Sequence, residues 1–123
     1  LPALLNEKRE AVIVNINSGL ALAPKTGSAI YCATKGGMNV FSQSLGYQLE
    51  HTNIRVMQAF LPLVETPMTE GRGSGKISAQ NAAFDIILGI EKGVSVENIG
   101  KAKILRFLLA VAPKLARKIM KGS

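Results

Sequence analysis

The spacing of apolar positions predicts that strands and helices alternate along the chain. Residues 11–16 are a short apolar run rich in β-branched residues, which is typical of a strand buried in a parallel sheet, and residues 53–60 are predicted to be a second buried strand. Residues 28–50 are predicted to form a helix whose apolar positions recur at helical spacing: Met38, Phe41, Leu45 and Leu49. This order is that of a doubly wound α/β sheet with flanking helices.

Capping and breaking residues divide the rest of the chain. Ser78 and Gly93 suit the N-cap and the C′ position of a further helix. Small and branched apolar residues form its predicted buried face: Ala79, Ala82, Ala83, Ile86, Ile87 and Ile90. A last short strand is expected within 94–100, and residues 102–121 are helical in pattern with a break or kink at Pro113.

Two further segments are predicted from local composition. Residues 1–10 should be the end of a helix, with Leu1, Leu4 and Leu5 on one face, and residues 71–76 should be a flexible glycine-rich loop. With 123 residues, 47% of them apolar, and a mean hydropathy of +0.21, the chain is expected to form a globular unit with a core.

Composition also bears on location and on metals. We expect neither a membrane-spanning helix nor a signal peptide, because long uncharged apolar runs and a cleavage pattern are absent. The single cysteine, Cys32, cannot form an internal disulfide, which fits a reducing cytosol and predicts a cytoplasmic protein. A single histidine, His51, leaves metal sites poorly supplied, and no metal is expected.

The net charge of +7 lies entirely at the end of the chain. Residues 1–100 carry eight Lys or Arg and all eight Asp or Glu, whereas residues 101–123 carry the other seven cations and no acid. Nucleic acid is not an expected partner, because Phe107 is the one aromatic residue among these cations. We therefore divide the chain into an α/β portion, 1–100, and a basic, apolar helical tail, 101–123.

Polar residues that can do chemistry follow the predicted strands. Asn17 and Ser18 follow the first strand, and residues 62–66 follow the second. Ligands of doubly wound sheets bind at the carboxyl ends of the strands, where the helix of Tyr31 also begins. The sequence therefore predicts that these groups converge at one edge of the sheet.

Tyr31 and Lys35 are four residues apart, so they lie on one face of the predicted helix. An ammonium favours the phenolate form of a neighbouring phenol, which can then exchange protons with a carbonyl or alcohol oxygen. Ser18 can orient such an oxygen. The alternatives are a chance pair on a helix surface, a Ser18 that only shapes a turn, and a Cys32 that is a small buried filler.

The joint pattern resembles the short-chain dehydrogenase/reductase family. The stretches that carry it are "VIVNINSGLA", "GSAIYCATKGG" and "LPLVETPM", and the resemblance covers residues 1–70 strongly and the remainder loosely. The "SGLA", "PLVET" and "GRGSGKIS" segments are most similar to the oxidoreductase subgroup associated with D-alanylation operons. The resemblance implies a Rossmann-like fold and NAD- or NADP-dependent hydride transfer between a small-molecule carbonyl and an alcohol.

The resemblance also implies roles for individual residues. Tyr31 would be the general acid and base, Lys35 would favour its phenolate and hold the nicotinamide ribose, and Ser18 would position the substrate carbonyl. The cofactor-binding positions would be Asn17, Tyr31, Lys35, Pro62, Val64 and Thr66, although Thr66 could instead cap a helix. The helix over 28–50 would provide a homo-oligomer surface.

Two departures from the family pattern matter. Pro62 stands where the family usually has a glycine, and proline has neither a backbone N–H nor access to positive φ. The family's glycine-rich fingerprint and its catalytic asparagine have no counterpart in these residues. We therefore expect a C-terminal half of such an enzyme, a fragment inactive alone, with an unpaired sheet edge.

The basic tail leaves two interpretations open. Apolar residues flanked by cations over 101–121 are typical of an amphipathic helix at an anionic membrane surface. The other interpretation is a C-terminal helix that packs over the substrate cleft or a partner subunit, with its cations solvated.

Overall fold

A computed structural model of the chain describes residues 2–5, 9–62, 64–65 and 77–122. The elements, in chain order, are α1 Pro2–Leu5, β1 Ala11–Ser18, α2 Ala29–Gln48, β2 Ile54–Leu61, β3 Val64–Glu65, β4 Ile77–Ser78, α3 Ala79–Lys92, β5 Val96–Asn98, α4 Lys101–Val111 and α5 Pro113–Lys121. A single 3₁₀ turn, Gly19–Ala21, follows β1. The predictions for Leu1, residues 6–8, Thr66 and the loop 71–76 lie outside the described residues.

A parallel sheet organises the fold, as predicted. Its strand order is β1-β2-β5, and β1 and β2 pair in register from Ala11 with Ile54 to Ser18 with Leu61. A separate short parallel pair joins β3 to β4. Met57, Phe60 and Ile99 are fully buried and form the centre of the core.

Local capping signals lie where the sequence predicted them. The Ser78 hydroxyl accepts a hydrogen bond from the backbone N–H of Asn81 at 3.1 Å, which satisfies an otherwise unpaired donor in the first turn of α3. Gly93 ends α3 in the left-handed conformation, with φ of 75°. Pro113 begins α5, so the predicted break separates two helices.

The expectation that the first strand is buried is wrong. Most residues of β1 are half-buried, and the Ile16 side chain is 45% exposed. β1 is exposed because, among the described residues, it pairs with β2 alone and forms an edge of the sheet. An unpaired sheet edge is what the sequence analysis expects, because these residues lack the family's glycine-rich half.

The predicted apolar faces of the two long helices are only partly correct. Leu49, the residue that follows α2, is buried, but Phe41 is 62% exposed, and the small residues Cys32 and Ser42 face the interior instead. Asn15 of β1 donates to the Ser42 hydroxyl at 2.7 Å, so α2 packs on the sheet through a polar contact. On α3, Ile87 is 54% exposed.

None of the helices in the part of the chain that the structure describes is long and apolar enough to cross a membrane.

Candidate active site

The carboxyl ends of β1 and β2 bring the predicted site residues to one edge. Ser18 pairs with Leu61 in the register of the sheet, so Pro62 follows directly beside Ser18. The chain leaves β1 through the Gly19–Ala21 turn and enters α2 at Ala29. The first turns of α2 therefore begin at this same edge.

The ammonium of Lys35 lies between Tyr31 and the end of β1. Its Nζ is 5.7 Å from the centroid of the Tyr31 ring, within the range of a cation–π contact. The same Nζ donates to the carbonyl of Ile16 at 3.5 Å. Tyr31 is half-exposed, so its phenol remains open to a ligand while its cationic neighbour is held against the strand end.

Ser18 occupies a defined position at the start of the turn. Its backbone is extended, with φ of −131° and ψ of 152°, and its Oγ accepts from the backbone N–H of Leu20 at 3.1 Å. The hydroxyl acts there as an acceptor, so its own hydrogen can still be donated to a carbonyl oxygen. Ser18 therefore shapes the turn, as one of the two interpretations expected, and its hydroxyl hydrogen is still available to a ligand.

A buried amide network supports these residues. Asn17 and Gln58 are almost fully buried, and Asn17 Nδ2 donates to Gln58 Oε1 at 3.0 Å and to the carbonyl of Lys35 at 3.2 Å. Asn17 Oδ1 accepts from the backbone N–H of Ser18 at 2.8 Å, and Gln58 Nε2 donates to Asn39 Oδ1 at 3.0 Å. Among the described residues, every buried side-chain nitrogen and oxygen has a hydrogen-bond partner.

The sequence analysis missed the network, although a signal was present. Asn15, Asn17 and Gln58 lie inside strands whose other residues are mostly apolar. Residues two apart in a strand face the same side of a sheet, so Asn15 and Asn17 share a face. Polar residues that share one face of a buried sheet indicate a helix that meets them with hydrogen bonds.

Helix α4 packs over the same edge. A Cβ added at Gly19 would lie 3.3 Å from Leu105 Cδ2, and one added at Gly100 would lie 3.2 Å from Pro62 Cγ. These contacts place α4 beside both Ser18 and the residues that follow β2. A helix that packs on this edge of the sheet is one part of the second interpretation of the basic tail.

Arg106 of α4 lies at the edge that holds the candidate site, and the sequence analysis did not identify it. Its guanidinium carbon lies 4.8 Å from the ring centroid of Phe60, and its Nε donates to Asn98 Oδ1 at 3.4 Å. Burial lowers the pKa of Arg106 from its ordinary value. A half-buried cation therefore lies above the carboxyl ends of β2 and β5. The signal was weak, because Arg106 stands among six other cations of the tail.

The predicted cofactor-binding positions are only partly described. Asn17, Tyr31, Lys35 and Pro62 lie at the edge described above, and Val64 begins β3. Thr66 lies outside the described residues. The described residues contain no group of three or more His, Cys, Asp or Glu side chains that could hold a metal ion.

A cavity of about 680 Å³ lies at the opposite end of the sheet. It is lined by the start of β2, at Ile54 and Arg55, and by the last turns of α2. Its polar groups include Arg55, which pairs with Glu10 at 3.4 Å and donates to the carbonyls of Ile90 and Val94. Those bonds give Arg55 a structural role away from Tyr31.

Comparison with known proteins identifies the family of the chain. Residues 1–76 match the family model of short chain dehydrogenases. The uncharacterized oxidoreductase DltE of Bacillus subtilis (strain 168) is 38% identical over 66 residues, which are 54% of this chain and 26% of that protein. This similarity agrees with the expected subgroup. An uncharacterized oxidoreductase of Staphylococcus epidermidis is 34% identical over 93 residues, 73% of this chain and 40% of that protein.

Alcohol dehydrogenase 1 of Ceratitis capitata is 44% identical over 68 residues, 54% of this chain and 26% of that protein. Among solved structures, a short chain dehydrogenase from Burkholderia cenocepacia J2315 in complex with NADP superimposes with a TM-score of 0.88 at 21% identity. The superposition covers 97% of this chain and 50% of that one. The fold is therefore the expected Rossmann-like one, and the chain spans half or less of each of these proteins.

Proposed function

Because the chain belongs to the short chain dehydrogenase family, we propose that its residues form the catalytic part of an NAD(P)-dependent oxidoreductase. The reaction interconverts a small-molecule carbonyl and an alcohol. The observation that carries the proposal is the placement of the Lys35 ammonium 5.7 Å from the Tyr31 ring, at the edge where Ser18 ends β1.

Tyr31 acts as the general acid and base. In the reducing direction its hydroxyl gives a proton to the carbonyl oxygen as negative charge develops there, and in the oxidising direction its phenolate takes a proton from the alcohol. The Lys35 ammonium stabilises the phenolate by its positive charge. The Ser18 hydroxyl donates to the same oxygen and fixes its position.

The residues at this edge fit one end of a nicotinamide dinucleotide, NAD or NADP, which when bound supplies or accepts the hydride. Lys35 has three N–H donors and a single long bond to Ile16, so it can also donate to ribose hydroxyls. Pro62, Val64 and Thr66 complete the proposed binding positions. The Asn17 side chain is buried and hydrogen-bonded to Lys35, Gln58 and Ser18, so we propose that it supports these positions from behind. The solved relative in complex with NADP favours NADP as the first cofactor to test.

The pyrophosphate end of the cofactor has no matching loop in these 123 residues. A glycine-rich turn between a strand and a helix normally binds the pyrophosphate, and "GRGSG" at 71–75 does not have that sequence context. We therefore propose that the 123-residue polypeptide, on its own, binds dinucleotide weakly and does not turn over. The short coverage of its relatives agrees with this proposal.

We further propose that α2 forms a homo-oligomer surface. Large apolar side chains of α2 are exposed to between 62% and 83%: Ile30, Val40, Phe41 and Tyr47. Lys35 is the one charged residue of α2, so this surface has little charge to keep it solvated.

We also propose a cytoplasmic location. The single cysteine, Cys32, is buried and free, which suits a reducing compartment.

The test of the function is a hydride-transfer assay in the natural polypeptide that carries this sequence. We expect oxidation of NADPH or NADH with at least one of a panel of small aldehydes and ketones, and a fall in kcat in Lys35→Met. Lys92→Met, which removes an exposed lysine of α3, is the matched control. Activity that survives Lys35→Met unchanged contradicts the proposal.

A further inference from the structure

Helix α4 has an inner and an outer face. On the inner side, Ala102 is buried, Leu105 contacts Gly19 and Arg106 lies on Phe60. On the outer side, three large apolar side chains are exposed to 58%, 65% and 62%: Ile104, Phe107 and Val111. Their spacing of three and four residues places them on one side of the helix, away from the packed residues. The packing over the site therefore leaves a second apolar face uncovered.

Helix α5 likewise has a packed side and exposed apolar residues. Ala116 is fully buried and anchors the helix, and Thr26 ties its end by donating to the carbonyl of Lys121 at 3.0 Å. Leu115 and Ile119, one turn apart, are 50% and 52% exposed. Exposed cations accompany the apolar side chains of both helices: Lys101, Lys103, Lys114, Arg117, Lys118 and Lys121. Residues 101–123 contain no acid.

We propose that the α4–α5 surface docks on an anionic lipid membrane. We define this surface by its five exposed apolar residues and its six exposed cations: Ile104, Phe107, Val111, Leu115 and Ile119 with Lys101, Lys103, Lys114, Arg117, Lys118 and Lys121. The apolar side chains enter the boundary between headgroups and acyl chains. The cations meet the negative charge of the lipid headgroups, with their long side chains extended toward the interface.

The positive charge of the α4–α5 surface favours an anionic membrane over a second copy of this chain as its binding partner. Two copies meeting through the α4–α5 surface would bring like charges together without an acid from residues 101–123 to neutralise them. The exposed face of α2 also carries large apolar side chains, and Lys35 is the single charge of that helix, so a protein partner suits α2 better.

A nucleic acid fits the cations but not the apolar residues. Affinity for nucleic acids comes from phosphate contacts and from aromatic side chains that stack on bases. Among the five apolar residues only Phe107 could stack, and the other four are aliphatic. An anionic bilayer can bind both the cations and the apolar residues of the α4–α5 surface, whereas a nucleic acid can bind only the cations.

The test is co-sedimentation of the whole protein with lipid vesicles. One set contains phosphatidylglycerol mixed with phosphatidylcholine, and the other contains phosphatidylcholine alone. Phe107→Asp is compared with Phe84→Asp, since both phenylalanines lie on helices and are exposed to 65% and 61%. The triple variant Lys114→Gln, Arg117→Gln and Lys118→Gln is compared with Lys92→Gln on α3.

We expect binding to the mixed vesicles and not to phosphatidylcholine alone. The triple variant should bind on the order of a hundredfold more weakly, since each cation near the surface contributes about a factor of five. Phe107→Asp should also weaken binding, and both controls should bind as the wild type does. Raising the salt should weaken binding as well, because screening shortens the reach of the charges.

Three results would overturn the proposal: no binding to mixed vesicles, equal binding to both kinds of vesicle, or equal loss in Phe107→Asp and Phe84→Asp. Binding to duplex DNA that survives Phe107→Asp would assign the cations to a nucleic acid instead. All substituted residues are exposed, and circular dichroism checks that each variant retains its helices. The assay needs neither substrate nor dinucleotide, so its result is independent of the proposed oxidoreductase activity.

Discussion

The side-chain amide of Asn17 donates a hydrogen bond to the main-chain carbonyl of Lys35 across 3.2 Å. This bond joins the end of β1 to the helical turn that carries Tyr31 and Lys35. The oxygen of the same side chain accepts from the backbone N–H of Ser18. One buried side chain therefore bonds directly to the main chain of Ser18 and Lys35 and joins the end of β1 to the helix of Tyr31, and Gln58 holds that side chain in turn.

Asn17→Ala should lower the free energy of unfolding by about 1–3 kcal/mol, because it leaves the buried Gln58 Oε1 without its donor. Urea unfolding measures this change. Asn81→Ala is the control, since the Asn81 side chain is exposed on α3 and its replacement should stay within about 0.5 kcal/mol of wild type. Equal effects in the two variants would mean that the amide network does not stabilise the fold.

Two glycines in helices should respond to alanine with opposite signs. A Cβ at Gly89 of α3 would lie 2.7 Å from Met57 Cε and 3.1 Å from Glu97 Oε2, and Met57 is fully buried. Gly89→Ala should therefore destabilise the protein by about 1–3 kcal/mol through overpacking. Gly37→Ala on α2 meets nothing within 4 Å and should stabilise by up to about 1 kcal/mol, because alanine favours helix.

Thermal and urea unfolding of both glycine variants measure the contrast. A neutral or stabilising Gly89→Ala would show that α3 can move away from β2 without cost. A destabilising Gly37→Ala would show that this face of α2 is covered in solution, as an oligomer would cover it.

How far the sequence predicted the fold depends on whether each signal was local. The Ser78 cap, the left-handed Gly93 and the break at Pro113 each follow from the chemistry of one residue and its neighbours, and all three are present. The buried face of α2 was not predictable in this way. Apolar spacing favoured Phe41, but the sheet beneath α2 presents Asn15, so Ser42 faces inward instead.

The residues of the candidate site were also predictable only where the signal was local. Tyr31, Lys35 and Ser18 were identified because helical spacing and strand order place them at one edge. Arg106 was missed because its role depends on α4 folding back across the ends of β2 and β5, a contact between residues far apart in sequence. The edge position of β1 likewise depends on which strand pairs with it, and its apolar run alone does not contain that information.

Arg106→Ala should lower the free energy of unfolding by about 0.5–2 kcal/mol, because it removes the guanidinium that covers the buried Phe60 ring. Lys103→Ala, which removes an exposed cation of the same helix, should change it little. Urea unfolding of the pair measures the difference. Equal stability in the two variants would mean that Arg106 does not hold α4 over the sheet edge.

Phe41→Glu should dissociate the proposed homo-oligomer, because it places a charge in the middle of the exposed apolar face of α2. Size-exclusion chromatography with light scattering gives the mass of each species. Tyr31→Phe is the control and should keep the wild-type mass, because it removes only a hydroxyl. An oligomer that survives Phe41→Glu would mean that subunits meet through another surface.

The most direct test of the account compares the two tyrosines of the chain, both on α2. Tyr31 lies beside the Lys35 ammonium, whereas Tyr47 is 73% exposed near the other end of the helix. The measurement is the rate of NAD(P)H oxidation with a carbonyl substrate in the natural polypeptide that carries this sequence. We predict that Tyr31→Phe lowers kcat by about 10²–10⁴-fold, as expected for loss of a general acid, and that Tyr47→Phe leaves it unchanged. A Tyr31→Phe variant that keeps the wild-type rate would contradict the proposed role of Tyr31.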